Sequence, residues 1–410
     1  MGGPTAAARE TPAGGSAPRG LGLASTTSTG KPRDVRLDFF RGIGMFIIFI
    51  AHVPINAWND WIPARFGFSD ATEIFVFCSG MASAIAFGKV FSERGFWLGT
   101  ARTAHRVWQV YWAHVALFMV VVALLVWFDG LAGEPFYTSR LWVRPFLEDP
   151  AAGLLGLMTL TYVPNYFDIL PMYLVILMMM PAVVFLAQRS PIGAFGVLLA
   201  VWLGANLGLL WLPAEPTTDR EWFFNPFGWQ LVFFTGFFLV AGWLPAPPID
   251  RRLVILSVAV LAVSAVTNWW PIAQHLSVVV AIWEPIQPLR DKTDLGLLRY
   301  LHFLALAYLA YAAAGEGGRR LALSGIGGHA VLVCRKVGQQ ALPVFLVSMV
   351  VAQIAGAALD VVGRTSLTFL AVNLAGFAVI VATAYVAGWF KSQPWRKPAA
   401  PRRSEESARP

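Results

Sequence analysis

Arginine and histidine are rare inside apolar stretches, yet residues 34–56, DVRLDFFRGIGMFIIFIAHVPIN, hold one of each where a ligand could use them. Arg41 stands near the charged start of the run, and His52 near its end, just before Pro54 and Asn56. Eleven residues make about three helical turns with ~20° to spare, so both side chains share one face ~16 Å apart. A planar guanidinium near one membrane surface suits a phosphate or carboxylate. A neutral imidazole deeper on that face can take a proton. Together they could touch two parts of one extended ligand. Ionisable groups are costly within a membrane span, which turns them toward the protein interior and toward function.

Other groups repeat this pattern. In GFSDATEIFVFCSG (67–80), Asp70 and Glu73 are three apart and share a helical face. Asp70 suits either a helix start or a substrate contact. Glu73 lies one turn inside an apolar helix, where it could orient His52 or bind a hydroxyl. In DKTDLGLLRYLHFLALAY (291–308), Arg299 and His302 share a face. Arg299 reads as an anion anchor or as the ion-pair partner of Glu73. TYVPNYFDILPMY (161–173) gathers Tyr162, Asn165, Tyr166 and Asp168 beside two prolines. That density suits a sugar site, with rings to stack and amide or acid to read hydroxyls, and it equally suits an interfacial turn. FNPFGWQ (224–230) offers Asn225 and Gln230 in the same two senses. His114 divides between packing and catalysis, whereas His105, His275 and His329 read as surface residues. Cys78 and Cys334 are too far apart in their settings to suggest a disulfide or a metal site. There is no glycine-rich phosphate loop, HExxH or GxSxG. The set favours acid–base chemistry on an anionic ligand, without a bound cofactor or metal.

The elements that must position these groups are membrane helices. Hydrophobic residues make up 57% of the 410 and charged residues 13%, against about 25% charged in soluble domains. The expected fold is all-α and polytopic, with about ten spans near 37–56, 70–88, 107–128, 168–188, 192–212, 227–244, 252–270, 295–314, 339–360 and 366–390. A shorter apolar piece at 151–160 reads as interfacial or re-entrant. Residues 1–33 read as a disordered cytoplasmic tail, 34–390 as the membrane domain, and 391–410 as a second, basic, disordered tail. With the N-terminus cytoplasmic, lysine and arginine divide roughly three to one in favour of the cytoplasmic segments. Both termini are then expected inside. The formal net charge of +8 follows from that asymmetry, with no call for nucleic acid. No inverted repeat is visible, which weighs against a secondary transporter.

Taken in order, RDVRLDFFRGIGMFIIFIAHVPIN, GFSDATEIFVFCSG, YVPNYFDILPMY, FNPFGWQLVFFTGF, DKTDLGLLRYLHFLALAY and VGQQALPVF resemble the OpgC family, whose name comes from a succinyltransferase of osmoregulated periplasmic glucans. That family sits among the membrane-bound acyltransferases that modify extracytoplasmic glycans. The resemblance implies an inner-membrane enzyme that takes an acyl group, succinyl in the family's case, from cytoplasmic acyl-CoA to a glucan hydroxyl outside. The wider class carries an arginine and a histidine with ten residues between them in its first span, and Arg41 and His52 match that motif. The resemblance therefore implies His52 as general base; the residues themselves offer Glu73 as a catalytic companion, and Arg41 and Arg299 as donor-binding cations. Asp70, Tyr162, Asp168, Asn225, Gln230 and His302 are the candidate acceptor contacts. Expected partners are membrane lipids, the glycan acceptor, the acyl-CoA donor and glucan-synthesis machinery. Two other readings stay open: a proton-coupled exporter of a glycan or organic anion, and a non-catalytic partner of a glucan synthase.

Overall fold

The computed structural model describes residues 35–216 and 218–396. The tail expected at 1–33, and residues 397–410 of the one expected at 391–410, lie outside the described residues. The principal helices are α1 (Arg36–His52), α2 (Ala71–Ser83), α3 (Phe96–Ala132), α4 (Pro150–Thr159), α5 (Ile169–Arg189), α6 (Pro191–Asn206), α7 (Pro226–Ala241), α8 (Arg251–Asn268), α9 (Leu297–Ala314), α10 (Gly325–Gln339), α11 (Ala341–Val362) and α12 (Ser366–Ser392). A π-turn at Ala84–Gly88 carries α2 on into Lys89–Arg94. Among the described residues, only an isolated bridge between Pro213 and Glu221 is strand-like. The protein is all-α and polytopic.

Among the described residues, seven helices are long and apolar enough to cross a bilayer: α2 with its extension, α3, α5, α8, α9, α11 and α12. The stretches expected to span at 37–56, 192–212 and 227–244 form α1, α6 and α7, of 17, 16 and 16 residues. At 1.5 Å per residue these reach only ~24–26 Å, short of a ~30 Å hydrocarbon core. Local chemistry ends them. Val53 turns extended before Pro54. Ser190 and Asn225 cap α6 and α7 ahead of a first-turn proline, and Gly242 closes α7 at φ +76°. The third expected span is instead lengthened, to 37 residues. The piece at 151–160 is the short helix α4. The final helix runs two residues past the expected start of the C-terminal tail.

Helix α7 is the core. Trp229, Phe233, Phe234 and Phe237 have no exposed surface, as befits a helix apolar on every face. It meets α2 backbone to backbone: a Cβ on Gly80 would lie 1.9 Å from the Phe233 carbonyl oxygen, and one on Gly236 2.4 Å from that of Phe77. Helix α1 packs on α10 in the same way, since a Cβ on Gly42 or Gly338 would lie 1.9 Å from the Cys334 or Asp38 carbonyl. Small residues permit such close approach between membrane helices, where dispersion replaces the hydrophobic drive.

The loops after α1, α3, α6, α8 and α11 meet at one end of the bundle. Arg364 donates to the Pro54 and Ile55 carbonyls at 3.0 and 2.9 Å, and Arg140 reaches Asp360 at 3.3 Å. Arg220 donates to the Val163 carbonyl at 2.9 Å. Asn268 donates to the Gly67 carbonyl at 2.8 Å, and the Asn225 amide to that of Thr293 at 2.9 Å. At the other end Arg36 donates to Gly315 O, and Tyr308 to Pro248 O. The contacts thus gather the described loops into two groups, one at each end of the bundle.

A buried amide pair holds the His52 end of α1. Asn56 donates to Asn373 Oδ1 at 2.9 Å, and Asn373 donates back to Asn56 Oδ1 at 3.1 Å. Interhelical polar bonds in membranes contribute about 0.6–2 kcal/mol. Asn373→Leu is expected to destabilise the detergent-solubilised protein by that margin, read as a lower melting temperature. An unchanged melting temperature would show that the pair does not secure the helix end.

Candidate active site

A cavity of about 530 Å³ opens where those loops converge, and His52, Asp70, Tyr166, Asp168 and Lys292 bring polar groups to its wall. Phe75, Phe223, Phe224 and Phe345 supply its aromatic faces. The position of His52 follows from α1 stopping there. Its Nδ1 lies 2.7 Å from the Ile48 carbonyl, which can only accept, so Nδ1 carries the proton. Nε2 is left with its lone pair. The ring meets Tyr166 edge to face at 5.1 Å. Tyr166 sits at φ +85°, a conformation costly for a bulky residue and one that clusters at functional sites. Its hydroxyl donates to the Met349 carbonyl, and burial pushes the phenol pKa above the ordinary range, so it remains a donor.

Asp70 and Glu73 start α2 as a capping box. Asp70 Oδ1 accepts from the Thr72 amide at 2.7 Å, and Glu73 Oε2 accepts from the Asp70 amide at 2.8 Å. The outer oxygen of each then faces a cation. Glu73 Oε1 accepts from Arg299 Nε at 2.8 Å and Nη2 at 2.6 Å. Asp70 Oδ2 takes Lys292 at 2.6 Å and Arg299 at 3.5 Å. The pairing expected of two costly buried charges is present. Both oxygens of Glu73 are thereby engaged, and the side chain has no exposed surface. Asp70 and Lys292 line the cavity, whereas Glu73 and Arg299 stand behind them.

Arg41 is absent from the cavity lining. Its guanidinium lies 5.7 Å from the centroid of Phe75, which does line it, and Phe75 stacks on Phe345 at 6.0 Å. Phe75 is therefore next to both Arg41 and the cavity that His52 lines. Arg41 Nε is buried without a hydrogen-bond partner among the described residues.

Of the candidate acceptor contacts, Asp70 and Asp168 reach the cavity. Asp168 Oδ1 is buried and has no partner among the described residues. Four others serve the scaffold. Tyr162 is buried beside Phe118 and Phe146, with its hydroxyl on the Trp142 carbonyl at 2.9 Å. Gln230 donates to the Leu198 carbonyl at 2.8 Å, joining α7 to α6. Asn225 donates to Asp294 at 2.8 Å. Burial, with Asp291 and Glu221 nearby, pushes the Asp294 carboxyl up to about 6 against the opposing effect of that bond. His302 Nδ1 accepts from the Ser69 amide at 3.2 Å and lies 2.7 Å from its hydroxyl. That ring fills the space a Cβ on Gly67 would need. His114 is also fully buried, with neither ring nitrogen partnered among the described residues.

Lys292, Phe223 and Phe224 were not foreseen as site residues. Their one signal is position, since each lies within a few residues of the start of an apolar helix, in loops at the His52 end. Sequence spacing cannot join segments nearly 240 residues apart.

A protein-family model described as OpgC protein matches residues 33–392. Neither the curated proteins nor the solved structures contain a match.

Proposed function

This chain belongs to the OpgC family of membrane-embedded O-acyltransferases, and from that premise we propose that it moves a succinyl group from cytoplasmic succinyl-CoA to a hydroxyl of a periplasmic glucan. The observation that carries this reading is the His52 ring at the wall of a cavity with aromatic and acidic sides, its Nε2 left with a lone pair by the Nδ1 bond to the Ile48 carbonyl and unpartnered among the described residues. A pyranose can stack on the Phe223 and Phe224 rings and give hydroxyl protons to Asp168. His52 Nε2 takes the proton of the reacting hydroxyl as its oxygen attacks the thioester carbonyl. Collapse of the tetrahedral adduct expels the CoA thiolate, which recovers the proton from the imidazolium. The products are an ester and a free thiol. Base catalysis of this kind contributes about 10²–10⁴ in rate.

In this reading Arg41 holds donor phosphate beside Phe75, and the thioester reaches His52 past that ring. Glu73 and Arg299 act as positioning residues that fix Asp70 and Lys292. The short helices α1, α6 and α7 also cross, completing ten spans through local thinning or packing against longer neighbours. The two-ended grouping of the loops supports this, because removing one crossing would invert every later loop. The basic asymmetry supports cytoplasmic termini. Lipids, glucan and glucan-synthesis machinery are then the partners.

The rival reading as a proton-coupled exporter draws on the same buried Arg, Glu and His. Mass spectrometry of periplasmic glucans from wild-type and deletion cells, with succinyl-CoA consumption by the purified protein, separates the two. An acyltransferase gives succinyl esters in the wild type alone, with release of free CoA. Intact succinyl-CoA and unaltered substituents would overturn the proposal.

A further inference from the structure

The structure assigns Lys292 as the specificity-determining residue of the His52 cavity, reading a negative charge carried by one of the two reactants. This inference rests on the acyltransfer reading above and names the group that sets its substrate preference. Sequence spacing points to Arg299 as the anion anchor, but Arg299 is behind the wall with both Nε and Nη2 committed to Glu73 at 2.8 and 2.6 Å. Lys292 is at the wall itself. Its ammonium meets Asp70 Oδ2 at 2.6 Å and lies 5.5 and 5.8 Å from the centroids of Phe224 and Phe223. One carboxylate oxygen uses one of its three N–H donors, and among the described residues the other two have no hydrogen-bond partner, so two remain for a ligand.

Neutralising Asp70 does not require Lys292. That carboxylate also has Arg299 at 3.5 Å and the Thr72 amide at 2.7 Å. The wall's other cation, Arg65, is tied to Asp60 at 3.5 Å and to the Asn59 carbonyl at 3.3 Å, with half its side chain in the open. Lys292 is thus an ammonium with spare donors, held between two rings in the same cavity as the base. The matching chemistry is an anionic group close to the reacting atoms. It can be the free carboxylate of a dicarboxylic acyl thioester or an anionic substituent already on the glycan.

The test compares full-length wild type, Lys292→Met and Lys292→Arg in lipid nanodiscs, by kcat/KM. One arm pairs succinyl-CoA with butyryl-CoA, equal in chain length, on a neutral glucan oligosaccharide. The other uses butyryl-CoA on that oligosaccharide with and without one phosphorylated primary hydroxyl. Charge-assisted hydrogen bonds contribute about 1.5–3 kcal/mol, so Lys292→Met should cut the charged-over-neutral ratio by roughly 10- to 150-fold in one arm. Lys292→Arg should keep most of it. The arm that collapses identifies the source of the charge. Unchanged ratios in both arms of Lys292→Met would overturn the assignment while acyltransfer stands. A wild type that transfers from neither thioester would instead sink the acyltransfer reading itself.

Discussion

His52→Ala is expected to lower glycan acylation by about 10²–10⁴, the range general bases supply, with insertion and melting temperature close to wild type. The rate effect follows from the ring's two nitrogens. Nδ1 is spent on the Ile48 carbonyl, a bond within the same helix that fixes the tautomer, and Nε2 has the proton-accepting work. Losing the ring frees one carbonyl near a helix end, where the Val53 amide already bonds to Phe49 O, so the structural cost is small. Acyl content in a folded, membrane-inserted His52→Ala variant decides the matter. Content equal to wild type would make His52 a packing partner of Tyr166 and move the chemistry elsewhere.

Glu73→Ala should be damaging in a different way. It leaves the Arg299 guanidinium without its closest carboxylate and the Asp70 amide without a cap. Breaking a buried pair by removing one partner costs about 3–5 kcal/mol, because the remaining charge is uncompensated. The melting temperature in detergent should fall steeply. The double variant Glu73→Leu, Arg299→Met removes both charges and should recover much of that loss, since hydrophobic replacement of a whole pair is often neutral. Recovery of stability without recovery of activity would mark the pair as positioning residues. A Glu73→Ala protein as stable as wild type would show that the ion pair contributes nothing to the fold.

The sequence by itself determined the class of molecule. Apolar runs and basic asymmetry are local properties that a bilayer imposes on any chain crossing it. Helical period gives the expectation that Arg41 and His52 share a face, but only His52 lines the cavity. The cost of a lone buried charge predicted that Glu73 would find Arg299, and the 2.6 Å contact meets it. Local reading went astray where caps and packing intervene. The runs at 192–212 and 227–244 are apolar for longer than their helices, because Asn206 and Gly242 end α6 and α7 where composition shows no break. Asn225 and Gln230 look like ligands in sequence but satisfy backbone and neighbouring helices, as buried amides must. Only the tertiary structure could distribute the four charges of Asp70, Glu73, Lys292 and Arg299. All four sit within or beside helix starts, and the sequence pairs Glu73 with Arg299 without showing which cation faces a cavity. Packing of α2 against α9 places Arg299 inside with Glu73 and leaves Lys292 on the wall, because the arginine enters one turn down its helix while the lysine precedes it in the loop. Which cation meets the ligand is therefore a property of two helices meeting, and neither helix contains it alone.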